Sequence, residues 1–243
     1  MRFVGVDGCR LGWVAVALDG EGGWGVAMYE GFEDLWSVHQ NAKHILVDVP
    51  IGLRTDGTSE RLCDKEARRV LGSPRGSSVF PAPCRAALKA NNHGVASEVN
   101  RRKTGRGLSI QSWAIMPKID EVDRLLRTCS EVRMVVREVH PEVLFWALNE
   151  GEGLVHKKKS REGYEERLEL LQRLHPHTDH IISHGLSRWK RSEVARDDIL
   201  DALAAAVTAE LGQNGFQTIP EEPEMDSEGI RMEMVYIQTD RVG

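Results

Sequence analysis

Phe3-Val4-Gly5-Val6-Asp7-Gly8-Cys9-Arg10-Leu11-Gly12-Trp13-Val14-Ala15-Val16-Ala17-Leu18 opens the chain with two apolar runs around a glycine-bounded turn. The runs predict two strands, and glycines at 8 and 12 permit the tight reversal between them. A third run, Trp24 to Tyr29, follows the turn Asp19-Gly20-Glu21-Gly22-Gly23, so the start of the chain reads as an antiparallel meander. Phe32, Leu35, Trp36 and His39 then recur at helical spacing, and His44-Ile45-Leu46-Val47-Asp48 reads as a short buried strand ending in an acid. The pattern to this point is β-β-β-α-β.

Composition limits the classes open to the protein. The 243 residues carry 32 Lys+Arg against 37 Asp+Glu, a formal net charge of −5, and 41% are apolar. This is a globular composition, long enough to bury a core without disulfides or structural metal. Apolar runs are short and Asp7 interrupts the N-terminal one, so neither a signal peptide nor a membrane span is expected. Cys9, Cys63, Cys84 and Cys129 are far apart with no Cys-x-x-Cys, which suggests neither a zinc site nor a disulfide framework and fits a reduced, cytoplasmic compartment. Charge is unevenly spread: residues 54–106 carry 12 basic and 5 acidic side chains, and residues 210–243 carry 2 and 8. Arg101-Arg102-Lys103 and Lys157-Lys158-Lys159 are local basic runs, suited to a phosphate backbone or to solvated surface.

Beyond Pro50 the signals change to Gly, Pro, Ser and Arg, and residues 54–110 read as an inserted basic cap broken by a helix over 60–71. Regular structure is expected to resume with a helix starting at Pro117, an alternating strand over 132–138, and helices over 141–148 and 164–174. A last helix over 197–207 is polar at its start and apolar afterwards, and a final strand is read over 232–237.

Acids at strand ends need a reason, because ionised carboxylates are seldom buried without a partner. Asp7 ends the first strand and Asp48 the fourth; if these strands are parallel neighbours, the two carboxylates meet at one end of the sheet, where α/β folds form ligand crevices. Asp198 and Asp201, three apart on the last helix, share a face and can approach that pair, as can Asp197 with Asp201. Such a cluster repels itself unless a cation neutralises it, and hard oxygen donors suit Mg²⁺ or Mn²⁺. The bland alternatives are turn caps for Asp7 and Asp48, and favourable charge at helix N-termini for Asp197, Asp198, Asp201 and Glu142. Arg10 and Lys118 read as counter-charges, phosphate contacts or surface ion pairs.

The segments Val4-Gly5-Val6-Asp7-Gly8-Cys9-Arg10-Leu11-Gly12-Trp13, Asp48-Val49-Pro50-Ile51-Gly52-Leu53, Cys63-Asp64 with Ala67-Arg68, Ser78-Val79-Phe80-Pro81-Ala82-Pro83, Pro117-Lys118-Ile119 with Glu121-Val122-Asp123, Glu138-Val139-His140-Pro141-Glu142 and Asp197-Asp198-Ile199-Leu200-Asp201-Ala202 follow one another over residues 4–205. Together they resemble domain of unknown function 429, a family of predicted RNase H-like nucleases. The resemblance implies an α/β fold with an RNase H-like mixed five-stranded sheet in the order 3-2-1-4-5, helices on both faces and the inserted cap, in one domain. It implies metal-holding, catalytic roles for Asp7, Asp48, Asp198 and Asp201. No glutamate of the early helix stands in the equivalent place, Glu33 and Asp34 lying at its start, so Glu138 or Glu142 is the candidate for a further acid.

The expected function is a divalent-metal-dependent nuclease or phosphodiesterase acting on nucleic acid or a nucleotide, with Mg²⁺ or Mn²⁺ as cofactor and Arg10, Arg68, Lys118, Arg101, Arg102 and Lys103 as substrate contacts. Two other classes stand beside it. A non-enzymatic scaffold would bind a structural ion or nucleic acid through the same residues. An actin- or sugar-kinase-like phosphotransferase would need a second lobe, and the chain shows neither a second Asp-Gly start nor a Gly-x-x-x-x-Gly-Lys-Ser/Thr loop.

Overall fold

A computed structural model of the chain describes residues 1–57 and 59–239. The chain divides into two compact units. Of the described residues, the first comprises 1–48, 134–217 and 235–239; the second comprises 49–57, 59–133 and 218–234.

The first unit is built on a mixed sheet. Strands β1 (Phe3–Cys9), β2 (Gly12–Leu18) and β3 (Trp24–Tyr29) form the antiparallel meander, and β4 (His44–Val47) and β5 (Val136–Glu138) extend it in parallel. The order is β3-β2-β1-β4-β5, the RNase H-like arrangement. Asp19 sets the second turn of the meander, its Oδ1 accepting the N–H groups of Glu21 and Gly23 at 2.9 and 2.8 Å.

Helices cover both faces. Helix α1 (Phe32–His39) packs on β2 and β3, with Phe32 edge-on to Trp13 at a ring separation of 5.1 Å. On the opposite face, Phe3, Val14, Val16, Leu18 and Leu46 pack with the long alanine-rich helix α9 (Arg196–Leu211). Helices α6 (Pro141–Leu148), α7 (Arg161–Leu174) and α8 (Thr178–Arg188) pack against α9 in turn. Helix α9 comes close against the sheet at Gly5. A Cβ there would lie 2.0 Å from Ala202 O and 2.1 Å from Ala206 N.

The second unit contains α2 (Leu62–Leu71), α3 (His93–Thr104), α4 (Ile110–Thr128) and a two-stranded sheet of β6 (Gln217–Met225) with β7 (Arg231–Tyr236). Its interior is held by charge as well as apolar contact. Arg85 pairs with Asp123 at 2.9 Å and with Asp226 at 2.5 Å, and the guanidinium of buried Arg61 is forked onto buried Asp64.

Several elements differ from the sequence reading. Pro117 lies inside α4, which begins seven residues earlier where Ser109 Oγ caps the N–H of Ser112 at 3.0 Å. Most of the run 132–138 is helical: α5 (Ser130–Val135) takes its first residues, and only Val136–Glu138 find a partner in the short β4. Helix α3 lies in a stretch read as loop, and the final strand pairs with β6 rather than with an edge of the main sheet. Among the described residues no disulfide joins the four cysteines.

The Gly5 crossing gives a direct test. Gly5→Ala forces α9 and β1 apart and is expected to destabilise the protein by at least about 1–3 kcal/mol, the usual cost of overpacking a core. Gly25→Ala, where a Cβ meets nothing within 4 Å, is the control and should stay within about 0.5 kcal/mol of wild type in denaturant titration.

Candidate active site

The parallel ladder brings the first two acids together. It pairs Phe3 with His44 through Val6 with Val47, and the N–H of Asp48 donates to Val6 O at 3.1 Å, so its next step sets Asp7 beside Asp48. Strand alternation carries Asp7 to the same face as Gly5, and Asp48 to the face of Leu46, which is the face under α9. Along α9, residues 198, 201–202 and 205–206 form one stripe. Since Ala202 and Ala206 lie over Gly5, the N-terminal end of that stripe, Asp198 and Asp201, extends toward Asp7.

All four acids therefore lie in the first unit, and their electrostatics report their proximity. Burial pushes the Asp7 carboxyl well above the usual range, and the charges of Asp48, Asp201 and Asp198 push the same way against Lys158. Asp48 is raised to about 7 by burial, helped by Asp201 and Glu138 and opposed by Lys158. Burial also raises Asp198, to about 6, with Asp201 and Asp197 adding to it, although the Ala195 N–H donates to its Oδ2 at 2.8 Å. Asp201, 3% exposed, is raised by burial and pulled back by Lys158 and Arg167. Asp7 Oδ1 accepts the Gly8 N–H at 2.7 Å, so its turn role and its membership of the cluster coexist.

Lys158 is the residue that sequence reasoning missed. Its ammonium donates to Asp201 Oδ2, and although burial works against its charge, Asp201, Asp7 and Asp48 hold it firmly protonated. The loop before α7 aims it: the N–H groups of Val155 and His156 donate to the Glu166 carboxylate at 2.7 and 2.9 Å, and Ser160 Oγ caps the N–H of Gly163 at 3.0 Å. As the middle of three lysines it looked like surface, and no periodicity singles it out. Asp201 Oδ1, buried, has no hydrogen-bond partner. Among the described residues, no three His, Cys, Asp or Glu side chains are grouped closely enough to hold a metal ion as they stand. The cluster's resident cation is Lys158.

The other candidates are carried by other elements. Glu142 Oε1 accepts from Arg167 Nη2 at 2.5 Å, and this guanidinium also donates to Gly163 O and lies over the Phe145 ring, so Glu142 ties α6 to α7. Buried Glu138, opposite Val47 on β5, is the glutamate that adds its field to Asp48. Arg10 is exposed in the turn between β1 and β2. Arg68, Lys118, Arg101, Arg102 and Lys103 belong to the second unit. There Arg68 bonds Glu60 and Val79 O, while Arg101 and Arg102 are exposed, pair with Glu98 and, with Lys103, give α3 the basic last turn that suits a helix C-terminus.

A five-stranded mixed sheet in the RNase H-like order, with half-buried Asp7, Asp48 and Asp198 and buried Asp201 gathered where β1 and β4 lie side by side and α9 starts, defines the fold class of the protein. Within that class the chain belongs to the family described as protein of unknown function (DUF429), which it matches over residues 5–225. No curated protein and no solved structure matches it. Among the described residues, no helix is long and apolar enough to cross a membrane.

The raised carboxyls fix a pH dependence. A carboxyl whose folded pKa lies above its unfolded value binds more protons when folded, so its contribution to stability falls as pH rises from about 4 to about 7. Asp48→Asn removes that loss. The variant is expected to melt at least ~2–4 °C above wild type at pH 8, the shift that about 1 kcal/mol produces in a protein of this size. The difference should shrink toward zero by about pH 4; a pH-independent difference would mean that Asp48 is not the raised group.

Proposed function

We propose that the protein is a divalent-metal-dependent phosphodiester hydrolase of the nuclease class, using Asp7, Asp48 and Asp201, with Asp198, as its carboxylate set. The observation carrying this reading is the gathering of these desolvated acids with less positive charge than they need, since Asp48 is raised to about 7 and Asp198 to about 6 even with Lys158 present. The donor set fits Mg²⁺ or Mn²⁺: it is all hard carboxylate oxygen, and Asp201 Oδ1 is buried without a partner. A bound divalent ion would supply Lewis acidity at the phosphodiester and lower the pKa of an attacking water.

The chain's own residues do the rest. Asp201, fixed on the helix that crosses Gly5, and Asp7, fixed by the Gly8 N–H, are held rigidly. Asp48 and Asp198, raised to about 7 and about 6, would have to give up their protons to hold the ion, so affinity would rise with pH. The Lys158 ammonium leaves Asp201 Oδ2 and becomes available to a substrate oxygen.

Calorimetric titration with Mn²⁺ tests the assignment, followed by cleavage assays on DNA, RNA and hybrid substrates. Wild type should bind, Asp7→Asn and Asp201→Asn should lose tenfold or more in affinity and all measurable cleavage, and binding should release protons at pH 6. Lys158→Met should be destabilised without metal by about 1–3 kcal/mol, because it leaves the buried Asp201 carboxylate without its partner, and should recover stability as Mn²⁺ is added. If neither wild type nor Lys158→Met binds Mn²⁺, the metal reading fails, and the site is a lysine-neutralised carboxylate cluster of the kind a scaffold would carry.

A further inference from the structure

In the second unit, a cavity of about 410 Å³ opens between the loop after Leu53, the turn around Phe80 and the first turn of α4. It is large enough for a small organic ligand. Arg54, Arg61, Arg68 and Arg106 line it, and a second opening that shares Arg54, Arg68 and Arg106 adds Lys65. Among the described residues, the ion pairs of these five cations involve three carboxylates. Arg61 is matched by buried Asp64 and Arg54 by Glu224 at 2.8 Å, but Glu60 alone serves both Arg68 and Arg106, one oxygen to each guanidinium. Two positive charges are left over, and the Nε of Arg54 is buried with no hydrogen-bond partner.

The remaining wall divides by chemistry. Half-buried Phe80 and buried Leu108 supply an apolar side, and Ser109 and Gln111 of the α4 start supply short polar groups. Two arginines converging on one carboxylate have the fork geometry that also accepts a phosphate. A dianion matches the charge excess where a carboxylate does not.

We infer that this cavity binds a phosphomonoester whose phosphate engages Arg68 and Arg106 in competition with the Glu60 carboxylate, and whose apolar or aromatic body lies against Phe80 and Leu108. The site is built wholly from the second unit and does not depend on metal binding by the first. Arg106 and Glu60 are the useful handles: the Arg106 side chain is 58% exposed and can be shortened without opening the core, and Glu60 is the internal competitor.

The experiment is calorimetric titration of the full chain, in EDTA and moderate salt, with adenosine 5′-monophosphate, inorganic phosphate and adenosine as probes. The monophosphate should bind, phosphate should bind more weakly, and adenosine should not bind. Arg106→Ala should weaken both anions by roughly tenfold or more, the loss expected for one charge-assisted hydrogen bond, and Glu60→Gln should tighten both. Failure of wild type and Glu60→Gln to bind either anion, or unchanged binding by Arg106→Ala, overturns the proposal and leaves an ion-pair network only. A monophosphate that binds no tighter than phosphate overturns the role given to Phe80 and Leu108. Because EDTA is present, none of these outcomes bears on the metal reading of the first unit.

Discussion

The backbone contact between β1 and α9 at Gly5 is the constraint from which the first unit follows. Helix and sheet approach so closely there that no side chain fits between them, and the helix answers with Ala202, Ala205 and Ala206. Small residues on both sides let backbone meet backbone, which fixes the position of α9 along the strand. One turn toward the N-terminus of the helix lies Asp201, and two residues along the strand lies Asp7. The carboxylates are thus brought together by direct backbone packing of helix on strand rather than by flexible loops, and α6, α7 and α8 hold that arrangement from behind.

Packing of this kind imposes an electrostatic cost. Desolvation is the first cause of the raised pKa at Asp7, Asp48, Asp198 and Asp201, and mutual repulsion adds to it at each of the first three. The start of α9 offers its helix dipole and the Asp198 carboxylate accepts the Ala195 N–H, but Asp198 is still raised, so burial and the Asp201 charge outweigh both. Lys158 offsets part of the remainder. A sheet that needed only stability would place valine at 7 and 48, as it does at 4, 6 and 47. Acids kept where they destabilise are what the proposed metal site would explain.

The meander and β4 were legible because each strand is a short apolar run closed by glycine or an acid, whereas the order of the sheet came from the family resemblance, the residues alone bringing Asp7 and Asp48 together only on the condition that β1 and β4 are parallel neighbours. The stripe of Asp198 and Asp201 was legible for the same reason, as a spacing on an alanine-rich helix. Elements that bury little apolar surface escaped: α3 buries only Ala96 and Asn100, and β6 contains Pro220 and Pro223 among glutamates. Alternation misled at 132–138, where the strand extends only as far as β4 offers partners. At the site, Glu142 and Lys158 traded expectations: the acid after Pro141 serves Arg167, and the lysine in a surface-like run reaches the acids. Both outcomes depend on contacts from distant segments, across 25 and 43 residues, which local spacing does not encode.

On the readings proposed above, each unit keeps its charged site closed with a side chain of opposite sign on its own chain, Lys158 among the carboxylates and Glu60 between the arginines. A tethered counter-ion acts at high effective concentration, so it holds the empty site together and resists ligands of equal charge. Coulomb energy scales with the product of the charges, so a divalent cation gains about twice what Lys158 gains from the same carboxylates, and a phosphate dianion about twice what Glu60 gains from the same guanidiniums. A monovalent tether therefore selects by charge: sodium or chloride cannot displace it, whereas a doubly charged ligand can. The side chains of Lys158 and Glu60, 35% and 14% exposed, retain the access to solvent that such displacement requires, in contrast to Arg167 and Asp64, whose buried ion pairs have nowhere else to go.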